Sequence, residues 1–257
     1  MDACQGVADL SRLTGRSSPA RNLADAVSAI MQRLDQDHSF LVCTLNLNHL
    51  VKLRVNPRFR KAYAKAEVVL ADGFPIVTFA WRCGVALERA SGSDLSCRAA
   101  AVWGFPIYLF GTTLRTLCAA GRELAETIPE LEIAGAYAPP AEFESDSEAA
   151  DEAIAVIKRS RARICLVALG APRQELFSAR ALDATTGIAF LGIGASLDFI
   201  AGTQTRCPQL LRRLNLEWAW RALSDPWRLA PRYVACAALF ARLYARYAWQ
   251  TNLSLKK

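Results

Sequence analysis

The 257-residue chain has only two histidines, His38 and His49, and neither stands at metal-ligand spacing from a partner. A His/Cys metal centre is therefore not expected. Eight cysteines are present but no CxxC pair, and Cys43 and Cys165 sit inside strand-like apolar runs. That pattern describes reduced thiols used as small core residues, not a disulfide framework. No apolar run approaches the ~20 residues of a membrane-spanning helix; the stretch 234–241 is far too short. The polar first 22 residues carry no secretory leader, so a cytoplasmic location is expected. Internal repeats, low-complexity tracts and long linkers are absent as well.

Acid is scarce in the C-terminal fifth. From Arg206 onward there are eight Arg and two Lys against Glu217 and Asp225, a net of +8, while the whole chain carries +7. Residues 1–205 are thus close to neutral, and the basic character belongs to the tail. Such a tail suits phosphates of nucleic acid, anionic lipid or a substrate, and charge alone does not choose among them.

With 53% hydrophobic and 21% charged residues, the chain can bury a sizeable core. Strand-like runs at 40–46, 67–70, 107–110, 131–136, 163–169 and 187–194 alternate with helical patterns near 57–66, 74–82, 94–103, 113–127, 146–160 and 172–183. A further helix capped by Asn22 runs to about Leu34. This alternation predicts an α/β fold, a Rossmann-like and mostly parallel sheet with helices on both faces. It occupies residues 1–205. Residues 206–257 form a basic, aromatic-rich helical appendage.

In such a sheet the ligand lies beyond the carboxyl ends of the strands. Those ends read Thr44-Leu45-Asn46, Ala71-Asp72-Gly73, Gly111-Thr112-Thr113, Gly170 to Glu175, and Gly192-Ile193-Gly194. Asp72 suits a general base, although Asp-Gly is also a common turn. Gly111 and the Gly192/Gly194 pair could each let a diphosphate approach the backbone, although strand-to-helix turns use glycine anyway. A dinucleotide fingerprint would need a third glycine where Leu197 stands, which weakens a nicotinamide reading. Asp35-Gln36-Asp37 is a formal D-x-D, but it precedes the first strand, on the wrong edge of the sheet.

The aromatic and Arg-rich segment 226–249 suits a helix lying in a headgroup zone, in preference to one packed on its own core with arginines outward. An exposed apolar face there would permit a homo-oligomer.

Taken together, these blocks resemble the WecG/TagA/CpsF glycosyltransferases, which build cell-surface polymers. The resemblance runs from about Phe40 to Tyr233. It rests on Thr44-x-Asn46, Ala71-Asp72-Gly73, Glu88-Arg89-x-x-Gly92-x-Asp94, Gly170-x-Pro172-Arg173-Gln174-Glu175, Gly192-x-Gly194 with Asp198-Phe199 and Ala201-Gly202, Arg206-Cys207-Pro208, Glu217-Trp218-x-x-Arg221, Pro226-x-Arg228-Leu229 and Arg232-Tyr233. Arg173 replaces the usual Lys, and Cys207 the usual Ala.

The resemblance implies an inverting transferase with no metal or cofactor requirement. Asp72 would be the base, and Thr44, Asn46, Arg89 and Gln174 would line the pocket. Arg206, Arg221, Arg228 and Arg232 would be the appendage arginines that meet a diphosphate. The implied donor is a UDP-sugar carrying N-acetylmannosamine, its uronic acid or glucose. The implied acceptor is a sugar on a polyprenyl diphosphate, reached by peripheral contact with an anionic membrane on the inner face of the cell membrane. The alternative is an NAD-linked or non-catalytic nucleotide-binding Rossmann protein. A nucleic-acid partner is not expected, because it leaves Thr44, Asp72 and Gln174 without a role.

Overall fold

The computed structural model describes residues 20–96, 104–204, 207–208, 220 and 226–254. Helix α1 (Leu23–Leu34) begins at Asn22, whose Oδ1 accepts from the Asp25 N–H at 2.8 Å. It buries Ala26, Ile30 and Leu34, one residue per turn on a single face. Next come β1 (Phe40–Leu45), α2 (Leu47–Val55), α3 (Pro57–Ala64), β2 (Ala66–Ala71) and α4 (Phe74–Arg82). The second half holds β3 (Ile107–Gly111), α5 (Leu114–Thr127), β4 (Ile133–Tyr137), α6 (Glu148–Arg159), β5 (Ile164–Ala168), α7 (Arg173–Ala181), β6 (Ala189–Gly192), α8 (Ser196–Ile200) and α9 (Pro226–Ser254).

The six strands form one sheet in the order β2-β1-β6-β5-β3-β4, and every pairing is parallel. Both faces of the sheet are covered, as a parallel sheet requires. Leu41, Cys43 and Leu45 of β1 enter one core with Cys165 and Val167 of β5. Phe40 and Val42 enter the opposite core with Ile164, Leu166 and Ala168. The period-two alternation of a strand thus feeds two hydrophobic layers. All six described cysteines are free, and five of them are buried.

Boundaries of the expected elements differ from the sequence-based expectation by at most two residues, as element ends commonly do. Two elements were unforeseen, the short α8 and the longer α2. Helix α2 occupies the stretch after β1, where apolar and basic residues mix without a clear helical stripe. Of the expected helix 94–103, residues 94–96 are helical, in a turn that begins at Gly92, and 97–103 lie outside the described residues. Helix α9 packs against α2. It also grips α4: the Tyr247 hydroxyl donates to the Arg82 carbonyl, Tyr244 packs on Phe79, and the Arg82 guanidinium lies over the Tyr244 ring.

Candidate active site

The carboxyl edge of the sheet is built as a set of short turns tied to one another. The Asp72 N–H donates to the Leu45 carbonyl at 2.8 Å, which fixes the end of β2 beside the Thr44–Asn46 end of β1. Gly73 follows with φ +105, a value that favours glycine, and it occupies the N-cap of α4. Asp72 is therefore not the cap, and its side chain stays partly exposed at the edge. The Ala90 N–H reaches the Ala71 carbonyl at 2.9 Å, so Arg89, an exposed side chain, enters the chain next to Asp72.

The other turns lock together across the sheet. A Cβ on Gly92 would stand 2.8 Å from the Ile193 carbonyl oxygen, so only glycine lets this loop touch the Gly192–Gly194 turn. Ser93 Oγ donates to Ser196 Oγ at 3.2 Å across the same contact. Asp94 holds the loop's shape by accepting from the Ser91 hydroxyl at 2.7 Å. Gly111 adopts φ +118, and a Cβ there would stand 2.4 Å from the Ala168 carbonyl oxygen. Thr112 has φ +41, unusual for a β-branched residue. Its hydroxyl donates to Asp198 Oδ1 at 3.0 Å, joining the end of β3 to α8. Thr113 then caps α5.

Three of the expected binding residues have structural work here. Asn46 caps α2: its Oδ1 accepts from the His49 N–H at 3.0 Å. Thr44 is buried, and its carbonyl accepts from the Tyr63 hydroxyl at 3.1 Å. Gln174 is 1% exposed, with Nε2 donating to Glu175 Oε1 at 2.8 Å and Oε1 accepting from the Gly194 N–H at 3.1 Å.

Beneath this edge lies a largely buried polar cluster to which motif reading gave no role. Glu175 is fully buried, and burial raises its carboxyl to about 7 against the pull of Gln174, its own backbone and Lys52. Desolvation, then Arg232, lowers Lys52, with Glu175 opposing. The Lys52 ammonium donates to the Ala171 carbonyl, which ties α2 to the turn after β5. His49 is buried edge-on to Phe59 and Tyr63, and its pKa is lowered to about 3, chiefly by desolvation. The Glu next to Gln174, and a His three residues after a capping Asn, were the available signals.

Of the four tail arginines, Arg232 is described. It is exposed on α9, with its guanidinium lying over the Tyr233 ring. Its positive charge is felt at both His49 and Lys52 on α2, the helix that begins directly after Asn46. Arg228 belongs to α9; Arg206 and Arg221 lie outside the described residues. The Asp35–Asp37 stretch joins α1 to the amino end of β1, at the edge away from these turns. No group of three His, Cys, Asp or Glu side chains suited to a metal occurs among the described residues.

Comparison with known proteins agrees with this architecture. The model of the glycosyl transferase WecG/TagA/CpsF family matches residues 13–254. The chain is 28% identical over 222 residues to the N-acetylglucosaminyldiphosphoundecaprenol N-acetyl-beta-D-mannosaminyltransferase of Bacillus spizizenii (strain ATCC 23059 / NRRL B-14472 / W23). That alignment covers 83% of this chain and 84% of the relative. With an all-parallel sheet, an aspartate at the end of β2 and a matching family model over nearly its whole length, the chain belongs to the WecG/TagA/CpsF family of glycosyltransferases.

Proposed function

We propose that this glycosyltransferase moves a sugar from a UDP-sugar donor onto a polyprenyl-diphosphate-linked sugar, with inversion and without a metal ion. The observation that carries the reading is the placement of Asp72. It is a partly exposed carboxylate at the carboxyl edge of β2, pinned beside Thr44–Asn46 and excused from capping α4. Asp72 takes the proton from the acceptor hydroxyl as that oxygen attacks the anomeric carbon. The bond from that carbon to the UDP oxygen breaks in the same step. A single in-line displacement inverts the centre, and UDP leaves with the bonding electrons.

The diphosphate sits over the Gly111 and Gly192–Gly194 turns, whose glycines leave room for it beside the starts of α5 and α8. Arg89 and the appendage arginines, Arg206, Arg221, Arg228 and Arg232, neutralise the leaving group in place of a metal. Thr44 and Asn46 border the sugar end of the pocket. The Bacillus relative transfers an N-acetylmannosaminyl group to N-acetylglucosaminyldiphosphoundecaprenol, which favours that sugar and that acceptor class here over the uronic acid or glucose. Residues 1–205 act as the catalytic unit and 206–257 as the appendage that closes it.

Membrane contact is proposed as peripheral, at the inner face of the cell membrane, where the acceptor resides. No described helix is long and apolar enough to cross a bilayer. Trp227 and Trp249 on α9 are 93% and 68% exposed, and Trp81 on α4 is 63% exposed; arginines lie between the aromatic residues of α9. Aromatic side chains mixed with Arg suit the headgroup zone.

The test is UDP release from a panel of UDP-sugars with a short-chain lipid-diphosphate acceptor, in the presence of EDTA. The wild type should release UDP only with acceptor, fastest from UDP-N-acetylmannosamine. Asp72→Asn should be slower by roughly 10²–10⁴. Full activity in Asp72→Asn removes the base assignment, and strict dependence on added divalent metal removes the metal-free mechanism.

A further inference from the structure

Gln174 and Glu175 stand side by side at the start of α7, and both are buried. A carboxyl group in such a place is expensive unless something depends on it. One of its oxygens, Oε2, has no hydrogen-bond partner among the described residues, so packing alone does not account for the residue. The other oxygen, Oε1, accepts from Gln174 Nε2 at 2.8 Å. The far end of the same amide, Gln174 Oε1, accepts from the Gly194 N–H at 3.1 Å. A side-chain amide has a donor end and an acceptor end, and it is the neighbours that decide which way it points.

We propose that Glu175 is a positioning residue: it locks the Gln174 amide in the orientation whose oxygen holds the Gly192–Gly194 turn, and so shapes the diphosphate site. The inference rests on the reading of that turn given under Proposed function. With the amide flipped, Gln174 would present an N–H₂ to the Gly194 N–H, donor against donor, and the turn would lose its tether. Glu175 enforces the choice because Oε1 is an acceptor whether the carboxyl is ionised or protonated on Oε2. That matters near neutral pH, since burial holds this group at about 7.

Gly192 belongs to the same device. A Cβ there would stand 2.9 Å from Gln174 Nε2, so glycine is what lets the strut pass beneath the turn. Lys52 braces the other side by donating to the Ala171 carbonyl, and its charge favours the ionised form of Glu175.

The test combines a double-mutant cycle with amide exchange. UDP affinity is measured by calorimetry for the wild type, Gln174→Ala, Glu175→Ala, the double variant and Glu175→Gln, with thermal melts as the check on folding. Each Ala variant should weaken UDP about tenfold. The double variant should also lose about tenfold rather than a hundredfold, because the two residues act in series. Glu175→Gln keeps an acceptor for Gln174 Nε2 and should bind UDP within about twofold of the wild type. Hydrogen exchange at the Gly194 amide should accelerate in both Ala variants, while amides of β5 and β6 keep their protection.

Additive losses, wild-type affinity in a folded Glu175→Ala protein, or Glu175→Gln as weak as Glu175→Ala would each overturn the relay. Where Glu175→Ala does not fold, Glu175→Leu fills the space without an acceptor and takes its place in the cycle. If the wild type binds no UDP, the diphosphate reading falls. Gly194 exchange then judges the tether by itself, and unchanged exchange in both variants overturns it.

Discussion

His49 gives the sharpest quantitative expectation. It is buried between Phe59 and Tyr63, and desolvation, aided by the charges of Lys52 and Arg232, lowers its pKa from 6.5 to about 3 despite a hydrogen bond with the Thr44 backbone. In the unfolded chain the imidazole takes up a proton near pH 6.5; in the folded chain it stays neutral until about pH 3. Between these values the unfolded state binds more protons, so stability falls as the pH drops. The contribution is complete above pH 6.5, and the loss is complete below about 3. From pH 7 to pH 5 it amounts to about 2 kcal/mol, from about 1.4 kcal/mol for each pH unit below 6.5. His49→Phe keeps an aromatic ring in the cluster and removes the titration. It also loses the Thr44 hydrogen bond, at a cost of about 1 kcal/mol that does not change with pH. Urea unfolding of both proteins at pH 7 and pH 5 isolates the effect. The wild type should lose about 2 kcal/mol more than the variant over that interval. Parallel losses would refute the claim that His49 is held neutral.

Three further outcomes follow from the geometry. Gly92→Ala drives a Cβ to 2.8 Å from the Ile193 carbonyl oxygen, so the turn must shift; UDP affinity should fall at least tenfold, checked by calorimetry, while the melting temperature drops by only a few degrees. Arg232→Glu should lower kcat/KM at least tenfold with little change in melting temperature, since the side chain is exposed; a folded and fully active variant would remove Arg232 from the diphosphate. Tyr247→Phe deletes the hydrogen bond that ties α9 to the Arg82 carbonyl, and hydrogen exchange should show faster opening of α9 with the sheet unchanged.

Apart from α2 and α8, the alternation of strands with helices along the chain was legible in the sequence, as were the two-layer burial of the parallel sheet and the set of turns worth inspecting. Each depends on local patterning: strands buried on both faces read as apolar runs, and Asn22 and Thr113 announce helix starts through chemistry confined to a few residues. The position of Asp72 just past the end of β2 was legible too, because an acid at a strand end is a local feature. The strand order was not, since it depends on crossovers that no local pattern encodes. Tertiary structure alone also decided what several motif residues do. Asn46 spends its side-chain oxygen on the cap of α2, Gln174 is a strut with both amide ends engaged, and Gly92 exists for contact with a residue a hundred positions away. The cluster of His49, Lys52 and Glu175 shows the limit most clearly. Its members are ordinary polar residues in the sequence. Their shifted protonation comes from burial and from the close approach of α2, α7 and α9, and burial is a property that the packed chain confers.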